Sequence, residues 1–272
     1  MSYSCGKSGR GVYQTIINQI PPHKLYAELF LGGGPVLLAK KPAACSFCSD
    51  IDPDVIRSFQ NRIDSIDPKL PPYIYVLCAN ALEILSQAIE LFSPWDFLNR
   101  SDAFLYLDPP YLLETDHDQD PLHNHEMSYQ EHERLLTLIL ELDSKVAISG
   151  YWSELYAVLL KDWRSIHLTN HTRSGRQAVE YLWMNYPPPK RLHDYSYLGS
   201  NFRERERIKR KIKCWQNKLA NMPDLERRAL IAAFRDYLED QTWKLDPIAL
   251  LDELRTEVRR NNTETSRLES DE

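Results

Sequence analysis

Residues 1 to about 186 alternate short apolar runs with segments of helical period, and this alternation most constrains the fold of the chain. Leu25 to Leu31, Ala44 to Ser49, Tyr73 to Cys78, Ala103 to Leu107 and Lys145 to Ser149 read as strands. Between them Pro35 to Lys41, Pro53 to Ile66, Ala81 to Phe92, Tyr129 to Leu142 and Glu154 to Lys161 read as helices, after a first helix from Gly11 to Ile20. Proline suits the first helical position at Pro35 and Pro53, and Asp52 can cap the latter helix. Strands alternating with helices predict an α/β sheet that is mostly parallel. Ile166 to Thr169 and Val179 to Asn185, around Ser174-Gly175, predict a closing antiparallel hairpin that makes the sheet mixed. Pro187-Pro188-Pro189 breaks the pattern and is expected to end this domain at residue 186.

The chain beyond the prolines reads as helical. Ile208, Ile212, Trp215, Leu219 and Met222 recur at spacings of four and three, which gives one apolar stripe. Pro223-Asp224 opens a second helix and Asp246-Pro247 a third. This predicts a helical extension over 187–260 and a polar, disordered tail over 261–272.

Composition narrows the class. At 272 residues, with 43% hydrophobic and 26% charged side chains, the chain has room for one large domain and an appendage. It shows no run apolar enough to span a bilayer and no signal-peptide pattern, so a cytoplasmic protein is expected. Five cysteines without regular spacing suit reduced thiols, and the lone Cys45-x-x-Cys48 lacks the second pair that a zinc site would use. The net charge of −6 hides an asymmetry. Between Asn201 and Lys218 eight basic residues face two acidic ones, so that stretch carries +6 and the remainder −12. Arg203, Arg207, Lys209, Arg210, Lys211 and Lys213 are therefore candidate phosphate contacts, the alternative being a solvated face of a packing helix.

Asp108-Pro109-Pro110-Tyr111 follows the apolar run Ala103 to Leu107. Prolines are a common way to leave a strand, because they cannot continue its ladder. The same four residues also suit methyl transfer to a planar exocyclic amine. The lone pair of such an amine is delocalised into its ring. Two acceptors, the Asp108 carboxylate and the Pro109 carbonyl, can hold its hydrogens so that the lone pair turns outward. Tyr111 can stack on the ring, and Pro110 stiffens the turn.

The opposite side of such a site would hold a cofactor. Leu25 to Leu31 runs into Gly32-Gly33-Gly34, where backbone N–H groups can approach a ligand. It is not the dinucleotide fingerprint, since no third glycine follows at the required spacing. Asp50, at the end of the next strand, can bond both hydroxyls of a ribose. Lys7 could pair with a carboxylate, and Tyr3 could offer its ring to a cation. A ribose, a carboxylate and a sulfonium cation together describe S-adenosylmethionine.

In this order, Tyr3-x-x-Gly6-Lys7, Glu28-x-Phe30-x-Gly32-Gly33-Gly34, Asp50-Ile51-Asp52 and Asp108-Pro109-Pro110-Tyr111 resemble the Dam-type (D12 class) DNA adenine-N6 methyltransferases. His132 with Leu135-Leu136, Ser149-Gly150-Tyr151, Thr172-Arg173-Ser174-Gly175 and Glu180-Tyr181-Leu182-Trp183 extend the match over roughly residues 2 to 186. The resemblance implies a Rossmann-like methyltransferase fold and an S-adenosylmethionine-dependent enzyme. It implies cofactor contacts from Tyr3, Lys7, Phe30, Gly32, Gly34, Asp50 and Asp108, amine activation by Asp108 and Pro109, and base stacking by Tyr111. Asn80-Ala81 stands where the family has Asp-Ala, so Asn80 is assigned to the cofactor's adenine, and Cys5 replaces a frequent glycine.

On this resemblance the substrate is an adenine flipped out of DNA, methylated by a monomer without membrane or metal. Metal ligation by His117, His123 and His125 with Asp116, Asp118 and Asp120 is the weaker reading of a polar segment better suited to a lid. Only Glu83 to Asp102 lies where such enzymes carry a target-recognition insert, which predicts short or loose target specificity. Related motifs methylate RNA adenine, cytosine N4 or protein glutamine, and a catalytically silent nucleic-acid-binding protein is the remaining alternative.

Overall fold

The structure, a computed structural model, describes residues 11–65, 73–90, 92–112, 126–171 and 177–242. Tyr3, Cys5 and Lys7, the segment 113–125, Thr172 to Gly175, the expected third helix and the tail lie outside the described residues. The chain divides into two compact units, 1–208 and 209–272.

The first unit is built on a seven-stranded sheet. Its strands are β1 (Leu25–Glu28), β2 (Cys45–Asp50), β3 (Ile74–Cys78), β4 (Ala103–Leu107), β5 (Lys145–Tyr151), β6 (Arg164–His171) and β7 (Gln177–Met184), in the spatial order β3-β2-β1-β4-β5-β7-β6. The first five run parallel, whereas β7 is antiparallel to both β5 and β6. This is the mixed, mostly parallel sheet with a closing hairpin that the alternation predicts, in the Rossmann-like arrangement that the resemblance implies. The chain works outward from β1 to β3 and then returns to place β4 beside β1. That reversal opens a crevice at the carboxyl ends of β1 and β4, where doubly wound sheets bind their ligands.

Helices cover both faces, as a parallel sheet requires. On one face α1 (Val12–Ile17), α2 (Pro35–Ala39) and α3 (Pro53–Ser65) pack on Tyr26, Phe104 and Tyr106. On the other α4 (Ala81–Ala88), α5 (Tyr129–Leu140) and α6 (Glu154–Leu159) pack on Ala27, Leu105 and Leu107. All five side chains of β4 are fully buried, which explains its unbroken apolar sequence. Asp52 caps α3 by accepting the Asp54 N–H at 2.8 Å, and Ser128 with Glu131 forms a reciprocal capping box on α5.

The first unit continues past the triple proline. The Asp194 carboxylate accepts the Lys41 N–H at 2.8 Å, His193 stacks on His23 with ring centroids 3.9 Å apart, and the Asn18 amide donates to the Tyr197 carbonyl at 2.7 Å. Residues 193–197 thus seal the α1–α2 side of the core. Helix α7 (Phe202–Ala220) crosses from the first unit into the second, and α8 (Asp224–Thr242) follows. No side chain of α7 is buried.

Candidate active site at the carboxyl ends of β1, β4 and β5

Asp108 is held from beneath. The β4–β5 register pairs Leu107 with Ile148, so Ser149 lies beside Asp108. The fully buried Ser149 Oγ donates to Asp108 Oδ1 at 2.9 Å and sits 3.1 Å from the hydroxyl of Tyr106, which is also fully buried. A carboxylate restrained in this way presents its oxygens in a set direction. Pro109 is buried directly after it, so the carbonyl follows a rigid backbone.

Tyr111 is anchored at its far end. Its hydroxyl donates to Glu180 Oε1 at 2.7 Å, and its ring lies 4.3 Å from that of Tyr151, tilted by 40°. The β5–β7 register pairs Tyr151 with Glu180, which explains why both reach Tyr111. Behind Pro110, the buried His132 Nδ1 is 3.0 Å from the Tyr156 hydroxyl. Burial draws the His132 pKa down to about 4 against the opposing pull of Glu131 and the Pro110 carbonyl. Its ring is therefore neutral at pH 7.

The glycine turn and Asp50 form one unit. Gly32 donates its N–H to Asp50 Oδ2 at 2.8 Å, and Asp52 donates to Asp50 Oδ1 at 3.0 Å. The glycines serve different ends. At Gly34 (φ 57°) a Cβ would stand 2.6 Å from the Phe59 ring, so close packing of α3 requires glycine there. At Gly32 (φ 47°) a Cβ would meet nothing within 4 Å, so the backbone faces open space. Phe30, half-buried, packs against the core below the turn. The Ala79 N–H bonds the Asp50 carbonyl at 3.0 Å and so brings Asn80 beside Asp50. Asn80 Oδ1 caps α4 by accepting the Leu82 N–H at 2.8 Å, a bond that does not use its amide NH₂.

Beneath the crevice lies a buried polar cluster of Glu28, Tyr26 and Lys40, of which only Glu28 belongs to a sequence motif. Glu28 ends β1, is 1% exposed, and accepts the Tyr26 hydroxyl at 2.8 Å. Burial raises its pKa to about 8, and Asp108 adds to the rise while Tyr26 and Lys40 oppose it. The buried Lys40 ammonium lies 4.0 Å above the Tyr26 ring, and burial lowers its pKa to about 8.

The strand pairings therefore bring together Phe30, Gly32, Asp50, Asn80 and Asp108 to Tyr111. Ser149 and Glu180 carried no role in the sequence reading. Each is polar in a strand flanked by apolar residues, which was the available signal. Arg203 and Arg207 are exposed on the part of α7 in the first unit; Lys209, Arg210, Lys211 and Lys213 are exposed in the second. Arg210, Lys213, Asn217 and Lys218 line one shallow groove along that helix. Cys45 and Cys48 are an odd number of residues apart on β2, so they point to opposite faces of the sheet. Among the described residues no cluster of His, Cys, Asp or Glu could hold a metal ion, and no helix is long and apolar enough to cross a membrane.

No family model matches the chain, and no curated protein matches it. Among solved structures it is similar to an S-adenosylmethionine-dependent methyltransferase from Agrobacterium tumefaciens, at 14% identity and a TM-score of 0.42, over 63% of this chain and 58% of that one. The chain thus spans less than two thirds of that relative. It is also similar to TrmK from M. capricolum, solved with S-adenosylhomocysteine, at 11% identity and a TM-score of 0.41, over 84% of this chain and 96% of that one. A third is the magnesium protoporphyrin IX methyltransferase of Synechocystis with bound S-adenosylmethionine, at 11% identity and a TM-score of 0.40, over 64% and 75% of the two chains.

Proposed function

We propose that this chain transfers a methyl group from S-adenosylmethionine to the N6 amine of an adenine flipped out of DNA. The observation that carries this reading is the restrained Asp108 carboxylate, tied to Ser149 at 2.9 Å and followed by the anchored Tyr111, at the reversal point of the sheet. The residues present fit the cofactor. Asp50 is a carboxylate at the end of β2, a residue type and place suited to accepting ribose hydroxyls. Gly32 offers an unobstructed backbone, and Asn80 has donors suited to an adenine edge. Phe30 would wall the pocket, and Tyr3 and Lys7 are assigned to the sulfonium and carboxylate ends. When bound, S-adenosylmethionine supplies an electrophilic methyl group on a sulfonium.

The chain's own residues then do the rest. Extruding the base costs a few kcal/mol of stacking and pairing, offset by binding in the crevice. Tyr111 stacks on its face. Asp108 and Pro109 accept the two N6 hydrogens, which turns the lone pair out of the ring. As the amine's new bond to the methyl group forms, that group's bond to sulfur breaks and a neutral thioether leaves; the amine becomes cationic and then loses a proton to solvent. A fixed carboxylate beside developing positive charge favours the transition state over the ground state. Catalysis is assigned to residues 1–186, and backbone phosphate contacts to the basic side chains of α7, from Arg203 to Lys213.

Incubation with methyl-labelled S-adenosylmethionine and adenine-containing duplex DNA tests the reading. Transfer to N6 is expected from the native chain and none from Asp108→Ala. Undiminished transfer by Asp108→Ala overturns it.

A further inference from the structure

We propose that Tyr129 and Trp152 form an aromatic platform at the rim of the site that stacks an unpaired nucleobase flanking the target. The proposal rests on the reading of Asp108 to Tyr111 as a base-binding site and adds a second contact on the same strand of nucleic acid. It makes the substrate an oligonucleotide rather than a lone planar amine, which has nothing to reach the rim.

Position carries the inference first. Trp152 directly follows Tyr151, whose ring lies 4.3 Å from that of Tyr111, so it stands at the same carboxyl edge of the sheet. Tyr129 is the first residue of α5. The hydrogen bond between His132 and Tyr156, 3.0 Å long, ties the first turn of α5 to the first turn of α6. Tyr129 lies three residues before His132, and Trp152 four residues before Tyr156. Tyr129 therefore sits about one helical turn ahead of the tie, and Trp152 lies just outside α6, between the end of β5 and the cap Ser153.

Exposure is the second observation. The neighbouring rings are consumed by the core: Tyr156 packs on Trp183 at 5.0 Å, and Trp183 stacks on Tyr181 at 5.3 Å. Trp152 is 56% exposed and Tyr129 45% exposed. Aromatic side chains normally bury most of a large apolar surface. Single exposed aromatics are ordinary on a protein surface, but two at the edge of a base-binding site are available as stacking surfaces.

Mounting is the third. Ser153, next to Trp152, caps α6 by accepting the Tyr156 N–H at 3.3 Å, and the Ser128–Glu131 capping box secures the start of α5 beside Tyr129. Rings carried on capped helix starts lose little freedom on binding. The first turns also carry Glu131 and Glu154. Their charge disfavours phosphate contacts at this rim, so the affinity of the platform comes from ring stacking. Flipping a target leaves its neighbour without a stacking partner, and an aromatic side chain can replace the lost one irrespective of sequence.

The test measures binding of a fluorescent single-stranded 12-nucleotide DNA with one adenine, by anisotropy, alongside methyl transfer to the same DNA. Trp152→Ala and Tyr129→Ala are each expected to weaken binding about 5- to 150-fold, the range for one stacked base, while Trp152→Phe keeps most of it. An abasic nucleotide placed in turn on each side of the adenine should, at one position, weaken native binding by the same factor and leave Trp152→Ala unaffected. Native-like binding by both alanine variants, with transfer intact, overturns the platform and leaves the reading of Asp108 standing. A loss in Trp152→Ala that persists undiminished at every abasic position also overturns it, since the ring then acts on the fold. Failure of the native chain to bind this DNA overturns the platform, and failure to methylate duplex DNA as well overturns both.

Discussion

The hydroxyl relay beneath Asp108 yields a prediction with an unusual sign. Ser149→Ala removes a donor to the Asp108 carboxylate and the partner of the Tyr106 hydroxyl, which is 0% exposed. A hydrogen bond to a charged group contributes about 1.5–3 kcal/mol, and the lower end applies to the half-buried Asp108. A buried hydroxyl left without a partner costs about 1–3 kcal/mol more. Ser149→Ala is thus expected to destabilise by about 3 kcal/mol. Tyr106→Phe alone removes one neutral bond while Ser149 still donates to Asp108, a loss of about 1 kcal/mol. Adding Tyr106→Phe to Ser149→Ala should restore about 1 kcal/mol, because it deletes the orphaned hydroxyl. The double-mutant cycle should therefore show about 2 kcal/mol of coupling. Urea unfolding followed by circular dichroism measures all four proteins. A double variant less stable than Ser149→Ala, by the full loss seen in Tyr106→Phe, would refute the relay. On the proposed function, methyl transfer by Ser149→Ala should also be on the order of 10²-fold slower, because Asp108 is freed of this bond.

Three further outcomes follow from the same geometry. Gly34→Ala should cost at least about 2 kcal/mol and more than Gly32→Ala, since both residues have positive φ but only the first meets Phe59; thermal unfolding of the pair checks the order. Glu28 titrates at about 8 when folded and near 4.5 when unfolded, so the folded state holds the extra proton between these values and stability falls as pH rises through 8. Glu28→Gln should flatten the decline between pH 6.5 and 8 in unfolding midpoints. His132 has the opposite sign: its folded value of about 4 means that below pH 6.5 the unfolded chain binds a proton the folded one refuses. Stability should therefore fall as pH drops from 6.5 toward 4, and His132→Asn should lessen that loss.

Much of the fold was legible because its signals are local. Leu107-Asp108-Pro109-Pro110 marks a strand end by composition, and the helix starts at Pro35 and Pro53 follow from first-turn proline and capping chemistry. The insertion of β7 between β5 and β6 was not legible, since strand pairing depends on contacts far apart in sequence. Nor was the docking of residues 193–197 on the first unit visible, because Pro187 to Pro189 signals a break in secondary structure and says nothing of what packs afterwards.

The sequence by itself determined the alternation of elements, the chemistry available at each strand exit and the basic stretch on α7. Each depends on residue type and short spacing, which act through local backbone preferences. Only the tertiary structure decided that Ser149 aims Asp108, that Glu180 holds Tyr111, and that Gly32 faces open space while Gly34 faces Phe59. Those assignments need the register of β4 on β5 and of β5 on β7, and the seating of α3. Register and packing are settled by the collective burial of the core, which no short stretch of the chain encodes.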